Sequence, residues 1–462
     1  MKYVSTRGAA PTLTFDDVLL TGLARDGGLY VPESWPQLQR DQVRSFADRP
    51  YAEVALEVMW PYVDGAIERG AFETMIHDAY ATFTHPDVCP VRPLGGNVWL
   101  LELFHGPTLS FKDVALQLVG HLFEHELRRR AEHLTIVGAT SGDTGSAAIE
   151  ACRDRDTLDV FMLHPRGRVS EVQRLQMTSV LSPNIHNIAI DGTFDDCQDL
   201  VKAMFADFEF RDRHRLSAVN SINWGRILAQ VVYYVRTAAV LGAPDTPVTF
   251  SVPTGNFGNV FAAWVARQMG VPIKQLIIGS NENDILTRFV DSGEMEMHEV
   301  VSTSSPAMDI QISSNFERLL FELLGRDGDE LASRVELFRE TGRVGLFDVV
   351  GSMREVFTAA RIDAAAVARI IAATERQSGV VVDPHTAVGL GAAAVRHHDP
   401  SVPVVCVATA HPAKFPDAVE AAIGRRPELP DSLADLRERS ERYVTLPNDL
   451  AAVQEHIDSV KR

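Results

Sequence analysis

The stretch Val248–Ser280, "VTFSVPTGNFGNVFAAWVARQMGVPIKQLIIGS", decides the architecture. Val248–Pro253 is a β-rich apolar run, Thr254–Asn259 carries two glycines, Val260–Gly270 has apolar residues at helical spacing, and Ile273–Ser280 is a second apolar run. Two short apolar runs joined through a helix predict a βαβ crossover, hence parallel strands in a sheet covered on both faces. Ligands of such a sheet bind beyond the carboxyl ends of its strands. The turn "TGNFGN" occupies that place.

The same order appears upstream in "LTIVGA" (Leu134–Ala139), "SGDTG", "SAAIEAC" and "LDVFMLHP" (Leu158–Pro165), with an echo in "GVVVDP" (Gly379–Pro384), "HTAVGLGAAAVRHH" and "VPVVCVAT". The prediction is an α/β protein with parallel-sheet domains and helices on both sheet faces. Before residue 90 the pattern differs. "YAEVALEVMW" and "FETMIHDAYATF" have helical spacing, and "RDGGLYVP" reads as a turn followed by a short extended piece. These features predict a mainly helical N-terminal domain over 1–90, with "CPVRPLGGN" (Cys89–Asn97) as its boundary. The 281–374 segment is more helical and charged, an insertion or the rim of a second domain, and 426–462 reads as a helical tail.

Composition excludes several classes of function. Forty-four Lys and Arg stand against 62 Asp and Glu, and the net charge of −18 opposes nonspecific attraction to nucleic acid or anionic membranes. The expected partner is a small molecule, with no nucleic acid and no membrane. No hydrophobic segment reaches membrane-spanning length without a charge, and "MKYVSTRGAAPTLTF" has no apolar signal core, so the expected location is cytoplasmic. The four cysteines are scattered without a CxxC pair, which points to reduced thiols.

A net acidic chain holds an anionic ligand only with local groups. Gly255–Asn259, between a strand and a helix, offers backbone N–H groups suited to a phosphate, and "GATSGDTGSAAIEA" from Gly138 adds Thr140, Ser141 and Thr144 hydroxyls suited to a carboxylate. Each loop alone reads equally as a tight connection or a helix cap. Neither GxGxxG nor GxxxxGK[ST] occurs. "HLFEH" (His121–His125) matches an inverzincin zinc motif, but Gln117, His121, Glu124, His125 and Arg128 share one helix face opposite Leu118 and Leu122. That pattern favours a solvated face, and no metal is expected.

"GPTLSFKDVALQLVG" places Lys112 where an apolar helical pattern begins, an end where the macrodipole disfavours a cation. A lysine at such a place is usually a solvated first-turn residue; the alternative is an amine that forms a Schiff base with pyridoxal 5′-phosphate, with a glycine loop for the cofactor phosphate and Phe111 against its ring.

"HGPTLSFKD", "GATSGDTGSAA", "NSINWGR" and "PTGNFGN", in this order, resemble the threonine synthase family of fold-type II pyridoxal-phosphate enzymes, related to the tryptophan synthase β-subunit. The likeness runs from "YVSTRG" and "DGGLYVP" to "DPHTA" and "ATAHPAKF", and is to the longer microbial and fungal branch with its extra N-terminal domain. It implies a catalytic region over 91–425 made of two α/β subdomains with the active site between them.

The resemblance also implies roles. Lys112 anchors the cofactor and then serves as the proton-transferring base. Gly255, Asn256, Phe257, Gly258 and Asn259 grip the cofactor phosphate, and Thr409 faces the pyridine nitrogen. The substrate would be O-phospho-L-homoserine, its carboxylate on Thr140, Ser141, Gly142 and Thr144, its phosphate on Asn220, Ser221 and Arg226. Asp143 is a possible cofactor contact, yet stands where many fold-type II enzymes place an asparagine; protonated, turned away and backbone-bound states are all open. His105, Asp113, Glu282, Asp383 and His385 read as supporting or capping residues as readily as catalysts. The expected product is L-threonine, with a related phospholyase or dehydratase releasing 2-oxobutanoate, and a non-catalytic amino-acid sensor, as alternatives. The expected assembly is a monomer or homodimer.

Overall fold

The computed structural model of the chain describes residues 1–218 and 220–460. Contacts divide it into two compact units, Met1–Ala115 with Ser221–Pro427, and Leu116–Asn220 with Glu428–Arg462. The strands of the two main sheets are, in chain order, β1 (Val91–Gly95), β2 (Val98–Glu102), β3 (Leu134–Ala139), β4 (Leu158–Pro165), β5 (Ile185–Asp191), β6 (Leu216–Ser217), β7 (Val248–Pro253), β8 (Ile273–Ser280), β9 (Phe357–Arg361), β10 (Val404–Ala408) and β11 (Val444–Pro447). Helices used below are α1 (Lys112–Arg130), α2 (Asp143–Cys152), α3 (Glu171–Thr178), α4 (Trp224–Val240), α5 (Gly258–Gln268), α6 (Phe316–Leu323) and α7 (Pro384–Arg396).

The first unit holds a six-stranded sheet in the order β9-β8-β7-β10-β2-β1. All neighbours are parallel except β1, which is antiparallel to β2. Every residue of β7 is buried, as its unbroken apolar run requires. Alternation sends its side chains to opposite faces: the Ser251 hydroxyl donates to the Gly389 carbonyl of α7, while Phe250 meets Tyr234 of α4 edge-on at 4.9 Å. On the α7 side, Leu100, Ile277, Val388, Ala392, Val404 and Cys406 join one apolar cluster.

The stretch "CPVRPLGGN" carries a strand, Val91–Gly95 or β1, paired with β2 through Val91 and Leu101. One sequence expectation in this unit changes. "GVVVDP" is not a strand. Only Val380–Val382 lies between Gly379, the left-handed cap of one helix, and Asp383, the N-cap of the next. Val380 and Val382 are buried in the apolar cluster without a strand ladder. The first residues form two predicted helices, Tyr51–Val63 and Arg69–Tyr80, and the turn at Arg25 leads into Tyr30–Pro32, which pairs antiparallel with Tyr3–Ser5.

The second unit holds a five-stranded, wholly parallel sheet in the order β11-β5-β4-β3-β6. One face is packed by Phe161, Leu163, Ile188, Cys197 and Met204, together with Val453 and Ile457. The chain's last segment therefore does more than form surface helix: it supplies edge strand β11 and, through Leu450–Val460, part of the core. The four cysteines are free and buried. Among the described residues no helix is long and apolar enough to cross a membrane.

Candidate active site

Neighbouring parallel strands β2, β10 and β7 end at the same edge of the first unit's sheet, and three sequence-predicted features follow those ends. After β2 the chain runs through Gly106–Phe111 to Lys112, the first residue of α1. After β10 comes Thr409, and after β7 comes Gly255–Asn259. The loop before Lys112 lies antiparallel to the residues after β10: Ser110 bridges Ala410, and the Phe111 N–H donates to the Thr409 carbonyl at 2.8 Å. The Lys112 side chain is thereby held in the interior, 7% exposed, with Nζ 5.1 Å from the Phe111 ring centroid.

Asp113 locks this loop from below. Its carboxylate accepts from the Thr108 N–H at 2.8 Å and the Thr108 hydroxyl at 2.6 Å, and Lys414 Nζ donates to the Thr108 carbonyl at 2.6 Å. Burial pushes the Asp113 carboxyl up to about 6 against the Thr108 hydrogen bonds and the Lys414 charge. A Cβ on Gly106 would lie 2.5 Å from Asp113 Cβ, so only glycine allows this close approach.

Among the described residues, no N–H of Gly255–Asn259 donates to a protein acceptor. Five such donors before and within the first turn of α5 make an anion cradle. A Cβ at Gly255 would stand 2.6 Å from the Ala307 carbonyl oxygen. Phe257 has φ +65°, a conformation uncommon for a bulky residue, and is kept there by burying its ring against Phe316 at 5.2 Å and Phe357 at 5.9 Å. Phe257 therefore offers the cradle its backbone, not its ring. Asn259 Oδ1 accepts from the Tyr233 and Tyr234 hydroxyls at 2.5 and 2.6 Å, which leaves its buried Nδ2 without a partner. Burial holds both phenols neutral, well above their usual range.

Ser221 and Arg226 belong to the same unit. Asn223 caps α4 by accepting the Gly225 N–H at 2.9 Å, and its amide donates to the Leu19 carbonyl at 2.7 Å. Arg226, one turn in, is 4% exposed, with Nε and Nη1 buried and unpartnered. Burial pushes its guanidinium down to about 10. A desolvated cation with two unused donors is costly unless an anion comes to it. Ser221 is half-buried, its carbonyl bound by the Asn315 amide at 3.1 Å; the same amide group binds the Asn256 carbonyl at 3.1 Å. The sequence reading missed Asn315, because "SSNFER" carries no signal beyond a helix start.

The second unit carries Asn220, which is half-buried, and Thr140–Thr144, at the carboxyl end of β3. Thr140 is a cap, its hydroxyl accepting from the Gly142 and Gly145 N–H groups at 3.0 and 2.9 Å. Ser141 and Thr144 are half-buried. Asp143 is buried, and its Oδ1 accepts from Gln173 Nε2 at 2.8 Å. Gln173 is fixed in turn by a capping box with Ser170 at the start of α3. Gly142 has φ +137°, and a Cβ there would stand 2.4 Å from the Gln173 side chain. Gln173 was invisible in sequence because it lies 30 residues from Asp143.

Among the remaining nominated residues, His105 contacts Glu102 at 2.8 Å, Glu282 accepts the Ala364 N–H, and Asp383 caps α7 while holding His385 Nδ1 at 2.7 Å. In the "HLFEH" segment Glu124 is engaged by Arg128 and Arg155, and Gln117 is buried instead of solvated. Among the described residues no group of three His, Cys, Asp or Glu is placed to hold a metal ion.

Family models described as threonine synthase N terminus, pyridoxal-phosphate dependent enzyme, and threonine synthase, C-terminal, match residues 2–80, 89–410 and 386–457. The chain is 53% identical to a threonine synthase of Pseudomonas aeruginosa, over 98% of this chain and 97% of that one. It is 44% identical to one of Corynebacterium glutamicum, over 99% and 98%. A crystal structure of PLP-bound threonine synthase from Brucella melitensis is similar with a TM-score of 0.98 at 51% identity, covering 100% of both chains. A yeast threonine synthase structure gives 0.94 at 37% identity, over 99% and 98%.

Proposed function

The chain belongs to the threonine synthase family of pyridoxal-phosphate dependent enzymes, and from that premise we infer that it converts O-phospho-L-homoserine and water into L-threonine and phosphate, the last step of threonine biosynthesis. The carrying observation is the shared sheet edge that bears the buried Lys112, Thr409 and the five acceptor-free N–H groups of Gly255–Asn259.

These residues fit pyridoxal 5′-phosphate. The cradle suits its phosphate, the unpartnered Asn259 Nδ2 is a further donor, the Lys112 amine suits its aldehyde, and the Thr409 hydroxyl suits its ring nitrogen. Once bound, the cofactor supplies the electron sink for charge that develops on substrate carbons as protons leave. A neutral Thr409 hydroxyl stabilises a protonated ring nitrogen less than a carboxylate would.

Lys112 Nζ is the proposed base. It takes the substrate α-proton and returns protons as the product forms; its buried position limits access by bulk water. Arg226 Nε and Nη1, with Ser221 and Asn220, are proposed to hold the phosphate that departs from the γ-carbon. Thr140, Ser141, Gly142 and Thr144 are proposed to bind the substrate carboxylate. For Asp143, the hydrogen bond from the Gln173 amide supports a carboxyl group that shapes that loop.

The proposed modular division is 1–90, 91–425 and 426–462, supported at its first boundary by the gap between the family matches 2–80 and 89–410 and at its second by the division of the compact units after Pro427. The proposed location is cytoplasmic, supported by four free cysteines, and the proposed assembly is a monomer or homodimer. The test of function is incubation with O-phospho-L-homoserine and chromatographic separation of products. Equimolar L-threonine and phosphate are expected; 2-oxobutanoate as the sole organic product would overturn the assignment.

A further inference from the structure

The segment Ser313–Arg318 directs its polar side chains onto carbonyl oxygens of other loops. The Ser313 hydroxyl donates to the Gly255 carbonyl at 2.7 Å. Asn315 takes the Asn256 carbonyl with both its backbone N–H and its Nδ2, each at 3.1 Å, and the same Nδ2 donates to the Ser221 carbonyl. Arg318 Nη2 donates to the Ile222 carbonyl at 2.6 Å, Nε to the Tyr30 carbonyl at 3.0 Å, and Nη1 to Asn315 Oδ1. Arg318 and Asn315 are both 0% exposed.

A peptide's C=O and N–H point in opposite directions. Fastening the carbonyls of Gly255 and Asn256 to one side therefore turns the N–H groups of Asn256 and Phe257 to the other, where no acceptor among the described residues meets them. One amide nitrogen ties this cradle to the loop that leads into Arg226. Among the described residues Arg318, which orients that amide, donates only to neutral oxygens; the neighbouring Glu317 is occupied by Arg7 and Thr6. Arg226 likewise has two donors without partners. Among the described residues, two buried guanidinium groups in this unit thus have no carboxylate hydrogen-bonded to them, although the chain is acidic overall.

We propose that Asn315 and Arg318 are positioning residues that join the 221–222 and 255–256 loops into one anion-binding device, so that occupation of the substrate-phosphate site tightens retention of the cofactor phosphate. This rests on the functional reading above and adds to it a coupling between the two phosphate sites. A shared strut makes each site pre-order the other, and the coupling is reciprocal.

The test follows cofactor loss from the holoenzyme, by absorbance after dilution into a trap for the free aldehyde, with and without inorganic phosphate. In the parent, phosphate is expected to slow the loss several-fold. Asn315→Ala is expected to lose cofactor about tenfold faster, through the loss of hydrogen bonds to both loops. It should no longer respond to phosphate, and its KM for O-phospho-L-homoserine should rise by more than kcat falls. Cofactor loss in the parent that is indifferent to phosphate, or an Asn315→Ala protein that responds as the parent does, would overturn the coupling. Should Asn315→Ala not fold, Ser313→Ala removes a single hydroxyl and is expected to speed cofactor loss about fivefold; an unchanged rate overturns the proposal. A parent protein that carries no bound-cofactor band fails the functional reading itself. One with the band and threonine production but unmoved variants fails only this inference.

Discussion

The Phe111 N–H donates to the Thr409 carbonyl at 2.8 Å, and this bond sets the register between the loop that delivers Lys112 and the strand end that delivers Thr409. Two residues nearly 300 apart in sequence thus stand side by side because β2 and β10 are adjacent and parallel. The bond uses backbone atoms alone, so replacing the Lys112 side chain leaves the register intact.

Lys112→Ala is accordingly expected to fold and to lose turnover by about 10⁴-fold or more, because nucleophile and base disappear together. Borohydride treatment should add cofactor mass to the Lys112 peptide of the parent and to no peptide of the variant. Near-parental threonine formation by the variant would assign the base to another residue.

Arg226→Met separates function from stability. Its buried Nε and Nη1 have no partner, so the charge weakens the fold unless an anion is bound. The variant is expected to lose about 10²–10³ in kcat/KM, as expected for a lost charge-assisted phosphate contact. Its resistance to urea should equal or exceed the parent's. A large loss of stability with unchanged KM would make Arg226 a structural residue.

Much of this was legible beforehand because β7, β8, β3 and β4 are short apolar runs flanked by glycine turns, and burial on both faces leaves that signature. Where burial without a ladder produced the same composition, as at Val380–Val382, the pattern misled. The loops at the strand ends were readable by resemblance, but what holds them was not. Ser313 reaches Gly255 across 58 residues, and Arg318 reaches Tyr30 across 288. Such bonds depend on topology, and no local periodicity encodes them. The left-handed Phe257 was equally hidden, since its cost is offset by an aromatic cluster assembled from three separate segments.

Gln173→Glu tests what shapes the 140–144 loop. It sets a carboxylate where an amide now donates to Asp143 at 2.8 Å. Two carboxylates at that distance cannot both ionise cheaply, so one holds its proton to a pH above the ordinary carboxylate range and releases it only at higher pH. The variant's KM for O-phospho-L-homoserine is expected to approach the parent's near pH 5 and to exceed it about tenfold near pH 8, where both groups are charged. A KM ratio that is flat across this range would detach Gln173 from the loop's geometry.

Asp113 gives the fold a pH dependence whose sign is fixed by its surroundings. Burial is the largest influence and raises the carboxyl from 3.8 to about 6, with the Thr108 hydrogen bonds and Lys414 opposing it. Between those two values the unfolded chain has released this proton and the folded chain retains it, so stability falls as pH rises. The contribution is complete below about pH 4 and is lost as pH passes about 6. Asp113→Asn stays neutral throughout and escapes this loss, although it gives up one acceptor for Thr108. From pH 4 to pH 7 the parent should therefore lose on the order of 2–3 kcal/mol of unfolding free energy relative to the variant. Urea titrations at pH 4, 5, 6 and 7 read this difference, and the other titrating groups cancel in the comparison. A difference that is constant with pH would mean that the ionised carboxylate is already fully compensated by Thr108 and Lys414. The Lys112 loop would then be held as firmly by a charge as by a neutral acid.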